Sequence, residues 1–186
     1  MTQAYAGADA QLKQRTMLGF LFRGLTVAPA AGTALFETLT GEARRPSWYV
    51  QGQVPDTLDG RFAVLATVIA LTLARLERDG EAGNRASVAL TERFIEVMES
   101  EHRELGLGDP SLGKTVRKLV GMLARRTELW RAALIGEIGW LEAAGQSLYK
   151  EAVASEALRH SGEALERLSR KLAATPLAEL EQGRVL

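Results

Sequence analysis

Cysteine is absent from this sequence of 186 residues and histidine occurs twice, which excludes much of the chemistry that proteins build from these side chains. Without cysteine there are no disulfide bonds, no thiolate nucleophiles and no iron–sulfur or sulfur-based zinc sites. Neither histidine lies near a glycine-flanked serine, and a serine nucleophile needs a base to activate it. The sequence therefore predicts no enzyme active site and no cofactor.

The two histidines also make a poor case for metal binding. Glu99 and His102 have the spacing of a carboxylate-bridged iron site, but such sites need two of these pairs and two more glutamates. His160 has Glu156 before it and Glu163 after it, with no further ligand in the pattern. We expect a structural or solvated role for both histidines and no metal.

Net charge is zero, with 23 basic and 23 acidic residues, which argues against a uniformly basic nucleic-acid binder and against a DNA partner. The charges are nevertheless segregated. Residues 110–131 hold six basic residues and one acidic residue, whereas residues 75–104 hold five basic and eight acidic residues. A basic stripe of Lys114, Arg117, Lys118 and Arg125 suits anionic lipids, ribosomal RNA or an acidic client segment, or is simply a solvated helix face.

Long apolar runs are also lacking. The longest, residues 62–74, is too short to cross a bilayer and reads as a buried helix. Near the N-terminus, Arg23 interrupts an apolar run that begins at Met17, so we expect no cleaved export signal and a cytoplasmic protein. A peripheral contact with the cytoplasmic face of a membrane stays open, through Phe20, Leu21, Phe22 and Leu25.

Helical periodicity dominates, and nothing reads as a strand. We predict helices at 12–25, 31–43 and 58–78, a turn at 79–84, a helix to about 105, another from 109, a sixth with the stripe Trp130, Leu134, Ile138 and Leu141, and a last one that ends before Pro176. The helix after residue 109 should bury Val116, Leu119, Val120 and Leu123. The expected fold is an all-α, single-domain bundle of six or seven helices. We divide it into an N-terminal segment 1–30, a helical domain 31–175 and a tail 176–186.

Residues 108–115 match the phosphate-loop pattern G-x-x-x-x-G-K-[ST] at every fixed position. A phosphate loop, however, connects a strand to a helix, and the residues before it, 99–104, are charged and helical in pattern. We therefore interpret the match as a capped helix start, with Asp109 or Ser111 as the cap and Pro110 in the first turn.

The segment from Ser47 to Leu58 reads as a loop that carries aromatic residues and proline. Trp48, Tyr49, Val54 and Pro55 indicate a recognition patch, since such side chains are costly to leave in water. Asp56 and Arg61 read either as an ion pair at the start of the next helix or as contact residues, and Asp59 reads as a cap or a contact residue.

Two stretches carry a family resemblance. Residues 48–62, WYVQGQVPDTLDGRF, and residues 103–118, beginning RELGLGD and continuing with Gly113-Lys114, resemble the two signatures of the ubiquinol-cytochrome c chaperone family. Arg126 with Trp130 and Ala132-Ala133-Leu134 is similar to a third element of that family, in which tyrosine usually stands at the Trp130 position. The resemblance covers roughly residues 34–135.

The resemblance implies an assembly chaperone that binds newly made cytochrome b and helps it enter complex III. It also implies a possible ribosome or small helper-protein contact, and a bacterial, cytoplasmic relative of the mitochondrial members. The alternative from the residues alone is a helical adaptor or an RNA-binding module that uses the basic stripe. The candidate partner-binding residues are Trp48, Tyr49, Val54, Pro55, Asp56, Thr57, Asp59, Arg61, Arg103, Glu104, Asp109, Lys114, Arg117, Lys118 and Arg126.

Overall fold

A computed structural model describes residues 32–104 and 109–185, with the backbone alone for 101–104, 109–113, 115 and 116. Every regular element in these ranges is helical, which confirms the all-α fold class. The helices are α1 (Thr33–Ala43), α2 (Ser47–Val50), α3 (Leu58–Leu76), α4 (Gly80–Glu104), α5 (Asp109–Leu134), α6 (Trp140–Leu148), α7 (Ser155–Ala174) and α8 (Leu177–Glu181), with a 3₁₀ turn at Glu77–Asp79. Six of these helices have nine residues or more, as expected for a bundle of six or seven.

Helix α3 lies at the centre of the bundle, because it is apolar on nearly every side. From Ala66 to Leu76 every residue is buried, and α3 packs against α1, α4, α5, α6 and α7. The helix begins where predicted. The side-chain oxygen of Thr57 accepts a hydrogen bond from the backbone N–H of Gly60 at 3.2 Å, so Thr57 is the N-cap.

The turn predicted at 79–84 is wrong beyond Gly80. Gly80, with φ 59°, redirects the chain, and α4 starts there. Gly83 lies inside this helix, where its Cα packs against the end of α3. A Cβ at this position would come within 1.9 Å of the carbonyl oxygen of Leu76, so the contact requires glycine. The glycine that signals a turn in the sequence serves a close helix contact instead.

The sequence predicts the stripe Trp130, Leu134, Ile138 and Leu141 on one sixth helix, but α5 runs on to Leu134 and α6 begins only at Trp140. Gly136 ends α5 with φ 79°, and the N–H of Glu137 donates to the carbonyl of Ala132 at 2.9 Å, which is a Schellman ending. The stripe is therefore broken, since Leu134 and Leu141 are exposed while Trp130 is buried. Of the predicted core positions, Leu119 and Leu123 are buried and Val120 is exposed, while the side chain of Val116 lies outside the described ones.

The C-terminal residues are part of the packed unit. α7 buries Leu165, Leu168 and Leu172, as the periodicity predicts. The segment expected as a tail contains α8, whose Leu180 is fully buried, and the hydroxyl of Thr38 in α1 donates to the carbonyl of Gly183 at 2.7 Å. The helix predicted at 12–25, with the rest of segment 1–30, lies outside the described residues.

The structure also bears on two predictions about function, that no helix spans a membrane and that residues 108–115 are not a phosphate loop. Of the helices that the structure describes, none is long and apolar enough to cross a membrane. In the described part before residue 105 the chain runs through α4, which is a helix, so the strand that a phosphate loop requires is not found there.

Candidate functional site

The segment between α1 and α3 is pinned in place rather than loosely exposed. Trp48, in α2, is 1% exposed and its Nε1 donates to the carbonyl of Glu42 at 2.9 Å. Tyr49 is half-buried and its hydroxyl donates to the carbonyl of Ala43 at 2.8 Å. From the other side, the hydroxyl of Tyr149 donates to the carbonyl of Gly52 at 2.5 Å. These bonds fix the path of the chain that enters α3.

This packing corrects the idea of an exposed aromatic loop. Trp48, in α2, and Val54, whose backbone N–H donates to the carbonyl of Trp48 at 3.1 Å, are each 1% exposed and belong to the core. Pro55 is exposed, and its carbonyl accepts the N–H of Thr57 at 2.8 Å. Of the four residues expected to form a recognition patch, Tyr49 and Pro55 therefore reach the surface.

A groove of about 940 Å³ runs beside this segment. It combines parts of the sequence that are far apart: α1, the segment 46–62, the last described turns of α4, and α5. Its apolar lining consists of Phe36, Ala43, Tyr49, Val50, Leu58, Phe62, Leu65, Val97, Met98, Leu119 and Met122. Val50 and Leu58 are 67% and 74% exposed, which is unusual for large aliphatic side chains and leaves apolar surface open to a partner.

Charged residues border the groove. Arg61 Nε donates to Asp56 Oδ1 at 2.6 Å, so the predicted ion pair at the start of α3 is confirmed. Lys150 Nζ, just after α6, donates to Asp59 Oδ2 at 2.5 Å. The hydrogen bond from Arg61 lowers the pKa of Asp56, and the hydrogen bond from Lys150, with its charge, lowers the pKa of Asp59. Both carboxylates are thus held in the charged form.

Helix α5 contributes the basic side of the groove. Lys118 lines it, and its charge further lowers the pKa of Asp59. Lys114 and Arg117 are exposed on the same helix. Arg126 is half-buried and donates through Nε and Nη2 to the carbonyl of Ser147, at 3.4 and 3.3 Å.

Three predicted residues have no described side chain. Arg103 and Glu104 lie in the last turn of α4, and Asp109 is the first residue of α5. The backbone thus places the second signature around the α4–α5 connection, whose residues 105–108 lie outside the described ranges.

Chemically, this arrangement suits binding. An apolar lining bordered by fixed charges can bury the apolar side chains of a partner, while the charges at the border orient the partner. No group of three or more metal-ligating side chains occurs among the described residues.

Comparison with known proteins identifies the family. A profile described as ubiquinol-cytochrome C chaperone matches residues 50–186, which is more than half of the chain. The chain belongs to the ubiquinol-cytochrome C chaperone family. Its structure is similar to the crystal structure of the Cbp3 homolog from Brucella abortus, with a TM-score of 0.71 and 25% sequence identity over 91% of this chain and 94% of that one. A comparison with curated proteins finds no significant match.

Membership of this chaperone family confirms the resemblance found in the sequence and supports a role in complex III assembly. The structure brings together Tyr49, Asp56, Asp59 and Arg61 of the first signature with Lys118 of the second, all in one groove. Thr57 serves as the helix cap, so a structural task accounts for it.

Sequence reasoning predicted five of the 18 residues that line the groove as partner contacts: Tyr49, Asp56, Asp59, Arg61 and Lys118. The residues that it did not predict as contacts include Phe36, Thr40, Ala43, Arg44 and Pro46 from α1 and its end, Val97 and Met98 from α4, and Met122 from α5. Two methionines on facing helices are a usable signal, because methionine is frequent on adaptable binding surfaces. Nothing in the local pattern of α1 distinguishes its groove face from an ordinary core face.

Proposed function

We propose that this chain binds newly made cytochrome b in the groove between α1, α3, α4 and α5 and promotes its assembly into ubiquinol:cytochrome c oxidoreductase, complex III. The groove is the observation that carries the proposal. A membrane protein has long apolar segments that need cover before they are assembled, and the groove offers apolar surface with Leu58 and Val50 largely exposed. The action is binding without catalysis, at the cytoplasmic face of the membrane.

A deletion strain tests the role in assembly. Without the chaperone, we expect less assembled complex III and a lower b-haem absorbance in isolated membranes. Normal complex III and normal b-haem absorbance in that strain would contradict the proposal.

A pair of matched variants tests the groove itself. Leu58→Asp places a charge on the groove lining, where a buried client segment would have to desolvate it. Its effect on folding should be small, because Leu58 is 74% exposed and an acidic residue is favourable in the first turn of α3. Val88→Asp, at a 57% exposed position of α4 outside the groove lining, is the control.

The readout is cross-linking of cytochrome b by a photo-reactive residue at position 118 in cells. We expect Leu58→Asp to reduce the cross-linked product by about tenfold or more and Val88→Asp to leave it unchanged. Equal products from both variants, at equal chaperone levels, would place the client elsewhere.

The basic stripe supports a second candidate, an RNA-binding or ribosome-binding module. Lys114, Arg117, Lys118 and Arg125 are exposed on α5 and form no ion pair with the other described side chains. Phosphate binding by such a stripe weakens steeply with salt. A steep salt dependence of RNA binding, together with normal complex III in the deletion strain, would favour this module over the chaperone.

A further inference from the structure

Arg126 differs from the other arginines that the structure describes. Most of them pair with a carboxylate, as Arg61 does with Asp56 and Arg131 with Glu77. The described arginines without a carboxylate partner are exposed, except Arg126, which is half-buried. These exposed ones are Arg44, Arg78, Arg117, Arg125 and Arg170.

Among the described side chains, no carboxylate pairs with Arg126. Its two hydrogen bonds, at 3.3 and 3.4 Å, go to one neutral carbonyl, that of Ser147 near the end of α6. Nη1 makes no hydrogen bond within the described part of the chain. Burial lowers the pKa of Arg126, and the neighbouring charge of Arg125 lowers it further. Partial removal of a cation from water costs free energy, which a counter-charge would offset, and no described side chain supplies one to Arg126.

Arg126 lies in line with the groove. Lys118, Met122 and Arg126 follow one another at intervals of four residues, so they share one face of α5. Lys118 and Met122 line the groove, and Arg126 is one turn farther, about 6 Å along the helix axis. Arg126 is not part of the groove lining, and a bound chain segment that continued past Met122 along this face of α5 would reach it.

We propose that Arg126 is an anchor for a carboxylate of the client polypeptide, which binds it one helical turn beyond the groove lining, where α5 contacts Ser147 of α6. This inference rests on the proposed function, since it assumes a polypeptide in the groove. A planar guanidinium with a free Nη1 matches a carboxylate, and a half-buried pair of this kind is stronger than one on the surface. Client binding would then supply the counter-charge that the described part of the free chaperone does not give to Arg126.

The test compares Arg126→Gln with Arg170→Gln in the full chain. Glutamine keeps a donor for the carbonyl of Ser147 but removes the charge. Arg170 is an exposed arginine of α7 outside the groove lining, so its variant controls for the loss of one positive charge. With the photo-reactive residue at position 118, we expect Arg126→Gln to reduce the cytochrome b product at least about tenfold. Arg170→Gln should leave it unchanged.

Thermal unfolding separates this anchor from a merely structural arginine. Arg126→Gln should melt at the same temperature as the unaltered chain or higher, since it removes a half-buried charge whose partner among the described residues is a neutral carbonyl. A variant that loses both melting temperature and cross-linking would show a structural role and overturn the proposal. Retained cross-linking in Arg126→Gln would overturn it as well, while leaving the proposed function standing. Absence of the product from the unaltered chain would instead contradict the proposed function.

Two further arms identify the anion. Arg126→Glu should lose the product and regain it when an aspartate or glutamate of the cross-linked cytochrome b segment is changed to lysine. Vesicles of phosphatidylglycerol and phosphatidylethanolamine probe a lipid phosphate. If Arg126→Gln abolished flotation with these vesicles and left the cross-link intact, the anion would be a lipid phosphate and the proposal would be wrong.

Discussion

At the scale of single residues, the start of α3 contains a glycine, Gly60, at which any side chain would clash with the backbone. A Cβ on Gly60 would lie 1.9 Å from the carbonyl oxygen of Pro55. That oxygen is backbone and already accepts the N–H of Thr57, so it has little room to move. We expect Gly60→Ala to lower the free energy of unfolding by about 1–3 kcal/mol, as overpacking does. Urea unfolding monitored by circular dichroism measures the change.

Gly41→Ala is the matched control for this prediction. Nothing lies within 4 Å of a Cβ at Gly41, which is also helical, in α1. Alanine should therefore stabilise the chain by up to about 1 kcal/mol through helix propensity. If both variants were equally stable, the close approach between Gly60 and Pro55 would not affect the free energy of unfolding.

The residues of the first signature show which side-chain roles can be predicted from a sequence and which cannot. The Asp56–Arg61 ion pair and the cap of α3 follow from local spacing, because their partners are at most five residues apart. The burial of Trp48 does not. It depends on a four-residue helix that folds the chain back so that the indole reaches the carbonyl of Glu42. A pattern of aromatic residues in a loop reads the same whether the ring faces water or the core.

Among the helices, Arg75 links the centre of the bundle to the end of α7. Its Nε donates to the carbonyl of Leu172 at 3.0 Å, its Nη2 donates to that of Thr175 at 3.1 Å, and it pairs with Asp79. The last carbonyls of a helix lack partners within the helix, so a buried arginine there satisfies groups that would otherwise be costly. Removing it should affect the whole bundle.

We expect Arg75→Met to lower the free energy of unfolding by about 2–4 kcal/mol, since two hydrogen bonds to carbonyls and an ion pair with a carboxylate are lost. Arg78→Met, at an exposed position one turn away, should change it by less than about 0.5 kcal/mol. Chemical denaturation of both variants provides the comparison. Equal effects would mean that Arg75 contributes charge alone.

Tyr149 joins α7 to the segment that precedes α3. Its hydroxyl donates to the carbonyl of Gly52 and forms a 2.7 Å hydrogen bond with Ser161 Oγ. Tyr149→Phe should cost about 1–2 kcal/mol, because both partners are left without it. Equilibrium unfolding at neutral pH measures this loss, and an unchanged stability would contradict the role.

The same tyrosine predicts a dependence on alkaline pH. Burial raises the pKa of Tyr149 above its ordinary value of 10.0. A group whose pKa is raised in the folded state stabilises that state below pH 10, and the contribution is lost as the pH rises through the folded pKa. The unaltered chain should therefore lose stability above pH 10 more steeply than Tyr149→Phe, which thermal melts at stepwise pH values would detect.

Helix boundaries separate what the sequence predicts from what it leaves open. The sequence identified α3 because it is apolar on nearly every side, and α7 because its own residues define the face that it buries. Periodicity failed at Gly83, where we predicted a turn, and between residues 130 and 141, where we predicted one continuous helix. In both places the role of a glycine had to be predicted without knowing what packs against it. Gly83 packs inside a helix, whereas Gly136 ends one. The two roles differ because Gly83 contacts Leu76 of another helix, which is a tertiary contact that the local sequence does not reveal.

For the whole molecule, zero net charge conceals the arrangement that matters for binding. Within the described groove the acidic side chains come from the start of α3, and Lys118 comes from α5. The sequence showed the separation of charge along the chain but not that the fold sets the two signatures side by side. That juxtaposition needs the packing of α3 against α5, which no local pattern encodes.

The ends of the described chain meet, and this makes the last residues a condition for the stability of the whole bundle. Leu180 is fully buried, and a Cβ on Gly183 would lie 2.5 Å from the carbonyl oxygen of Ala34 in α1. Leu180→Ala should lower the free energy of unfolding by about 3 kcal/mol, because it leaves a cavity between α8 and its neighbours. In a chain of this size that corresponds to a fall of roughly 6–12 °C in Tm. Glu181→Ala, next to it and exposed, should melt within about 2 °C of the unaltered chain. Differential scanning calorimetry of the two variants measures this, and a Leu180→Ala melt as high as that of Glu181→Ala would show that residues 176–186 behave as an independent tail.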